Sequence, residues 1–148
     1  MYRHLSECTH LLFESHDSSW IAPSIQEEMG EIKRTAKELG LSLKKLLTAA
    51  QQGTLVTLSD DLWSQMENTD SWETTDINTV EKLGIEYERD VGRLVQAMKT
   101  GQTLPAPLVL VKPDGIPYLV GGNTRLMVAR ALGIKPKVFL IQIKHHQG

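Results

Sequence analysis

The chain has 148 residues, 41% of them hydrophobic, enough for one ordinary domain with a core or for a small domain with an appendage. No apolar run approaches the ~20 residues that span a bilayer, the start Met1-Tyr2-Arg3-His4-Leu5 lacks the basic and apolar regions of a signal peptide, and a single cysteine, Cys8, excludes an internal disulfide, so a soluble cytoplasmic protein is expected. The net charge of −2 is uneven: residues 1–80 carry 6 Lys and Arg against 13 Asp and Glu, a net −7, whereas residues 81–148 carry 10 against 5, a net +5.

The second half is therefore the one suited to phosphate, nucleotide or nucleic acid, unless both charge sets simply lie on solvated faces. The first twenty-odd residues show no clean period. They hold His4, Cys8, His10 and His16, whose spacing fits no zinc pattern, so no metal is expected. From Ser24 onward Ile25, Met29, Ile32, Ala36 and Leu39 recur at helical spacing, which predicts an amphipathic helix ended by a left-handed Gly40. Ser42 is placed to cap a second helix, with Leu43, Leu46, Leu47 and Ala50 facing inward and Gly53 closing it. Thr54–Leu58 predicts a short strand, and Ser59 a cap for a helical turn through Leu62, Trp63 and Met66.

Residues 67–79 are polar and rich in turn formers, which predicts a loop. Tyr87, Val91, Leu94, Val95 and Met98 then return to helical spacing, with Gly101 as the stop. Leu108–Val111 predicts a strand, Lys112-Pro113-Asp114-Gly115 a turn and Tyr118–Val120 the second arm of a hairpin. Gly121-Gly122 breaks that arm. Asn123 or Thr124 is placed to cap a helix through Leu126, Met127, Ala129, Arg130 and Leu132, ending at Gly133. Lys135-Pro136 turns the chain into a last strand, Val138–Ile143. The fold class expected is α/β (α+β): a small mixed sheet packed by the helices near 87–100 and 123–132, with a helical N-terminal section at 1–54 and the main domain at 55–148.

Strand, Gly-Gly, polar residue, helix is the pattern that carries chemistry. A helix N-terminus presents backbone N–H groups with no partner inside the helix and a partial positive charge. Glycines let a phosphate come close to the main chain. Gly121, Gly122, Asn123, Thr124 and Arg125 are thus candidate phosphate- or nucleotide-binding residues. Arg125 puts a permanent cation in the first turn, unfavourable there unless a phosphate or an acidic side chain pairs with it. The alternative is a tight turn with Thr124 as an ordinary cap, because short Gly-rich motifs are weak signals.

Read together, residues 90–143 resemble the ParB/sulfiredoxin superfamily. The likeness runs through the helix Asp90–Thr100, the step Gly101-Gln102-Thr103-Leu104-Pro105-Ala106-Pro107, then Tyr118-Leu119-Val120-Gly121-Gly122-Asn123-Thr124-Arg125-Leu126 and Ala129-Arg130-Ala131-Leu132-Gly133. With Glu67-Asn68-Thr69-Asp70-Ser71 ahead of the helix, it extends over roughly 55–143 and is similar to short ParB-like proteins of tailed phages. The resemblance implies a sulfiredoxin-like fold whose turn at Gly121–Arg125 holds nucleotide phosphates, with ATP or CTP as ligand and Mg²⁺ as companion. Its members include CTP-hydrolysing partition proteins, sulfinic-acid reductases, free-serine kinases and nucleases, so it does not fix the reaction.

Departures narrow the field. Asn123 stands where sulfiredoxins carry their cysteine, so sulfinic-acid reduction is not expected. Gly122 and Asn123 stand where free-serine kinases carry an acid and a histidine. With Gly148 last, the C-terminal helix-turn-helix domain of partition proteins is expected to be absent. DNA contact is expected, if anywhere, from Thr35–Leu46. That stretch reads as a helix-turn-helix with Ser42, Lys44 and Lys45 facing a groove, or as an ordinary helical hairpin. Any hydrolysis or transfer needs a carboxylate near the phosphates. Glu67, Asp70, Asp76, Glu86 and Asp90 are candidates. Asp70, in a polar loop, is the preferred catalytic residue beside Arg125, with a turn-forming role as its alternative. Nucleotide is the expected partner, with DNA and a second copy of the chain as further partners and no membrane.

Overall fold

In the computed structural model, which describes residues 20–69, 77–86 and 90–143, the apolar run Leu108–Val111 is an interior strand. The described elements run β1 (Trp20–Ile21), α1 (Met29–Leu39), α2 (Leu43–Ala50), β2 (Thr54–Thr57), α3 (Asp60–Gln65), α4 (Ile77–Glu86), α5 (Val91–Lys99), β3 (Leu104–Pro105), β4 (Leu108–Val111), β5 (Pro117–Gly121), α6 (Asn123–Ala131) and β6 (Lys137–Gln142). The protein is a mixed α+β domain. Its main sheet has the order β2-β6-β4-β5, with β4 parallel to β6 and both outer pairings antiparallel. β1 and β3 form a separate two-residue parallel pair. Among the described residues no helix is long and apolar enough to cross a membrane.

Alternation along the strands divides the core between the two sheet faces. Leu108, Leu110, Tyr118, Val120, Phe139 and Ile141 join α1, α2, α4 and α5 through Ile32, Leu46, Val80 and Leu94. Val109, Leu119 and Val138 face the other way, onto Leu58, Met66 and Leu126, with Trp63 packed beside them. α6 contributes to both sides, Leu126 to one cluster and Val128 with Ala129 to the other. The helices of the first fifty-odd residues thus bury their apolar stripes in the same core as the strands of the second half.

Local chemistry explains several element ends. Gly40 (φ 67°) closes α1, and its N–H and that of Leu41 return to carbonyls of the last turn. Ser42 Oγ accepts from Lys45 N at the start of α2, and Ser59 Oγ from Leu62 N at the start of α3. Asp90 Oδ1 accepts from Arg93 N, which makes Asp90 the cap of α5. In the β4–β5 turn Asp114 Oδ1 accepts from Ile116 N, and Gly115 takes φ 87°.

Two expectations change. The stretch 67–79 is not all loop: Ile77 already starts α4, and Glu67 bridges to Tyr118, lying along the free side of β5. Gly53 does not close α2, which ends at Gln51. Gly53 is where the side chains of Phe139 and Ile141 press in on the place a β-carbon would take. The expected short strand at Thr54–Leu58 is present as β2, and it joins the main sheet as a fourth strand beside β6. His4, Cys8, His10, His16, Asp70, Asp76 and Tyr87 lie outside the described residues.

Candidate anion-binding site

β5 delivers the chain to the site through an irregularity. The β4–β5 register slips between Leu108 and Val109, so that Leu108 faces Gly121 and Val109 faces Leu119, with Val120 as the extra residue. Gly121 ends the strand and Gly122 turns into the helix at φ 91°, a left-handed backbone that glycine adopts without strain. A β-carbon on Gly122 would also stand 2.8 Å from Pro107 Cα. Gly122 is itself the N-cap of α6 and no side chain caps that helix, which corrects the expectation that Asn123 or Thr124 does so. The left-handed step makes Asn123 the first helical residue. Asn123 and Thr124 both make interactions of their own.

Arg125 lies in the first turn of α6, its side chain only 18% exposed. Its Nη2 is 3.7 Å from Glu28 Oε2, an ion pair too long for a hydrogen bond. Both Nε and Nη2 are buried without a hydrogen-bond partner. Burial pushes the guanidinium pKa down, and the Glu28 carboxylate pushes back. A guanidinium stays protonated, so the site holds a desolvated cation with unused donors at a helix N-terminus.

All five residues of Gly121–Arg125 line one cavity of about 570 Å³, within the range of about 300–1,000 Å³ usual for small-molecule sites. Its polar wall also takes in Asn68, from the polar loop expected to lie over the turn, and residues of α1 and α5 that pattern alone did not single out for this place. α1 supplies Glu31, Arg34 and Glu38; α5 supplies Arg93; Asn68 closes the side along β5. Asn68, at φ 66°, donates from Nδ2 to Leu119 O at 2.8 Å. Arg34 pairs with Glu31 at 2.7 Å, and Arg93 with Asp90 at 3.2 Å, all largely exposed. Tyr118 OH donates to Glu38 Oε1 at 2.9 Å, and burial with this bond raises the phenol pKa. The spacing of residues 31, 34 and 38 along one side of α1 was the readable signal for this wall.

Of the candidate carboxylates, Glu67 and Asp90 are described with their side chains, and neither lines the cavity. Glu67 pairs with Lys112 Nζ at 2.6 Å, outside the cavity, and Asp90 caps α5. Glu86 ends α4. Among the described residues no group of three or more His, Cys, Asp or Glu side chains is placed to hold a metal ion.

Ser42, Lys44 and Lys45 lie elsewhere, on a groove of about 500 Å³ completed by Thr48, Ala49, Gln52, Gln142 and Ile143. α1 and α2 are joined through Gly40, with Ala36 and Leu46 buried and both lysines exposed. The Ser42 hydroxyl is engaged as a cap.

No protein-family model matches the chain, and no curated protein or solved structure matches it.

Proposed function

We propose that the protein binds a nucleotide through its phosphates at the Gly121–Arg125 turn, in the manner of ParB-like proteins. One observation carries the reading: a cavity of nucleotide size opens on the glycine-capped N-terminus of α6, where Arg125 Nε and Nη2 are without hydrogen-bond partners. Backbone amides, the helix dipole and a planar cation there suit a phosphate. The reading takes the fold as ParB/sulfiredoxin-like. The order of α5, the Leu104–Pro107 step, the β4–β5 hairpin, the glycine turn and α6 supports it.

Binding is better supported than turnover. The cavity carboxylates each have a partner, Glu31 with Arg34 and Glu38 with Tyr118. A catalytic version of the reading keeps Asp70 as the carboxylate that holds Mg²⁺ or acts as base, and Arg125 as the charge on the phosphates. Titration calorimetry with ATP, CTP, GTP and their diphosphates, with and without Mg²⁺, tests the proposal. Micromolar binding by one of them, lost in Arg125→Ala, is the expected result. No heat with any of them at millimolar concentration removes it.

A second reading rests on the α1–α2 pair. Residues 29–50 carry 5 Lys and Arg against 2 Glu, a basic island within the acidic half, and Lys44 and Lys45 are exposed on it. This is the reading of a DNA-binding module without catalysis. A salt-titrated gel shift in which Lys44→Ala with Lys45→Ala abolishes DNA binding and Arg125→Ala does not would favour it over the first.

A further inference from the structure

Glu28 lies beside both Arg125 and Gly121 at the glycine turn. It precedes the first helical residue of α1 and is only 13% exposed. Its backbone is held by the turn before the helix, with Glu28 N donating to Ser24 O at 3.0 Å and Glu27 N to Ser24 Oγ. From there the carboxylate reaches across to the glycine turn. Oε1 lies 2.5 Å from the point where a β-carbon on Gly121 would stand, so only glycine admits it there. Oε2 faces Arg125 Nη2 at 3.7 Å. The contact supplies charge but not hydrogen bonds, and Nε and Nη2 remain without them.

We infer that Glu28 is a built-in competitor of the phosphate, an acidic side chain that occupies the anion site at Gly121 and Arg125 and must swing away for a ligand to bind. The inference rests on the phosphate-binding reading of the preceding section and adds a regulatory element to it. A carboxylate and a phosphate oxygen make the same demand on a guanidinium. Both cannot hold Arg125 at this distance, because two anions in a poorly solvated site repel each other strongly. Ile32, fully buried one turn further on, anchors α1 while the Glu28 side chain rotates. Phosphate binding is then coupled to release of the segment Ser24–Glu28, and the empty protein is protected from leaving a bare buried cation.

The test uses sodium tripolyphosphate, which carries the phosphates without a base or sugar. Calorimetry is run on the full chain as wild type, Glu28→Gln, Glu28→Asp and Arg125→Ala, with EDTA and again with MgCl₂. Glu28→Gln should bind at least about tenfold more tightly than wild type in EDTA, from removal of one like charge at close range. Glu28→Asp, whose shorter side chain draws the charge back, should fall between the two. Melting curves give a second readout: the rise in Tm with tripolyphosphate should be larger for Glu28→Gln than for wild type. Equal affinities of wild type and both Glu28 variants would overturn the inference while leaving the phosphate site standing. Weaker binding by Glu28→Gln, most of all with MgCl₂, would overturn it and make Glu28 a ligand-holding group. Absence of binding by every variant would overturn the phosphate reading and the inference together.

Discussion

A β-carbon on Gly122 would stand 2.7 Å from Arg125 Nη2. The guanidinium thus folds back over the residue that caps its own helix, and the missing side chain is what gives it room. A side chain at position 122 would have to displace the guanidinium.

Gly122→Ala is expected to destabilise the fold by about 1–3 kcal/mol, from a left-handed backbone now carrying a β-carbon. Backbone at Pro107, 2.8 Å away, cannot yield as a side chain would. Gly121→Ala should cost about 1 kcal/mol or less, because the obstacle there is the movable end of Glu28. Urea denaturation of the two variants checks the contrast. Equal losses would contradict it.

Replacement of Arg125 tests geometry apart from charge. Lysine keeps the charge but not the planar fork. Nucleotide affinity is expected to fall about tenfold or more in Arg125→Lys and further in Arg125→Ala. Calorimetry on folded protein, with circular dichroism as control, reads the result. A lysine variant that binds as well as wild type would show that charge alone suffices.

The hairpin turn should show opposite pH dependences at its two ends. The Asp114 carboxyl is held below its ordinary value by the Ile116 N–H, with Lys112 assisting. A depressed pKa contributes stability above the ordinary aspartate range that is lost as pH falls through the folded value. Asp114→Asn should therefore differ from wild type at neutral pH and converge with it in acid. Lys112 is held above its ordinary value, chiefly by its bond to Glu67. Its contribution is complete below pH 10 and lost as pH rises through the raised value, so Lys112→Met should converge with wild type only in strong alkali. Urea midpoints across the pH range measure both.

Leu46 is fully buried, in the cluster that also holds Leu108 and Leu110. Leu46→Ala should cost about 2–5 kcal/mol. Unfolding should stay a single transition by fluorescence and circular dichroism together, because α2 shares the core of the sheet. Two separate transitions would mean that the N-terminal helices unfold on their own.

What the sequence reveals of this fold follows from how local each feature is. The β4–β5 hairpin and α6 were legible because uninterrupted apolar strands meet turn residues and then helical spacing between Leu108 and Ala131. α4 was not, because Asn78 and Thr79 continue the polar run that precedes it. β1 and β3 are too short to show any period. The glycine turn was legible as a candidate anion site; of its wall only the spacing of residues 31, 34 and 38 along α1 was legible, not the tertiary packing that lays that helix, and Glu28 just ahead of it, against β5. Of the two partners weighed for Arg125, a phosphate or an acidic side chain, the structure places the acidic one, Glu28, beside it.

The segment Glu67–Asn68 along β5 has a consequence for how molecules meet. Glu67 N donates to Pro117 O, Leu119 N to Glu67 O, and Asn68 Nδ2 to Leu119 O, so that side of the sheet has no bare ladder to offer a neighbour. The opposite border is β2, four residues long with threonine at each end, paired with β6 alone among the described strands. Exposed ladders recruit further strands and seed aggregates. Self-association on warming is expected to start at Thr54–Thr57 and to be slower in Leu55→Lys, with light scattering of the two proteins as the measure.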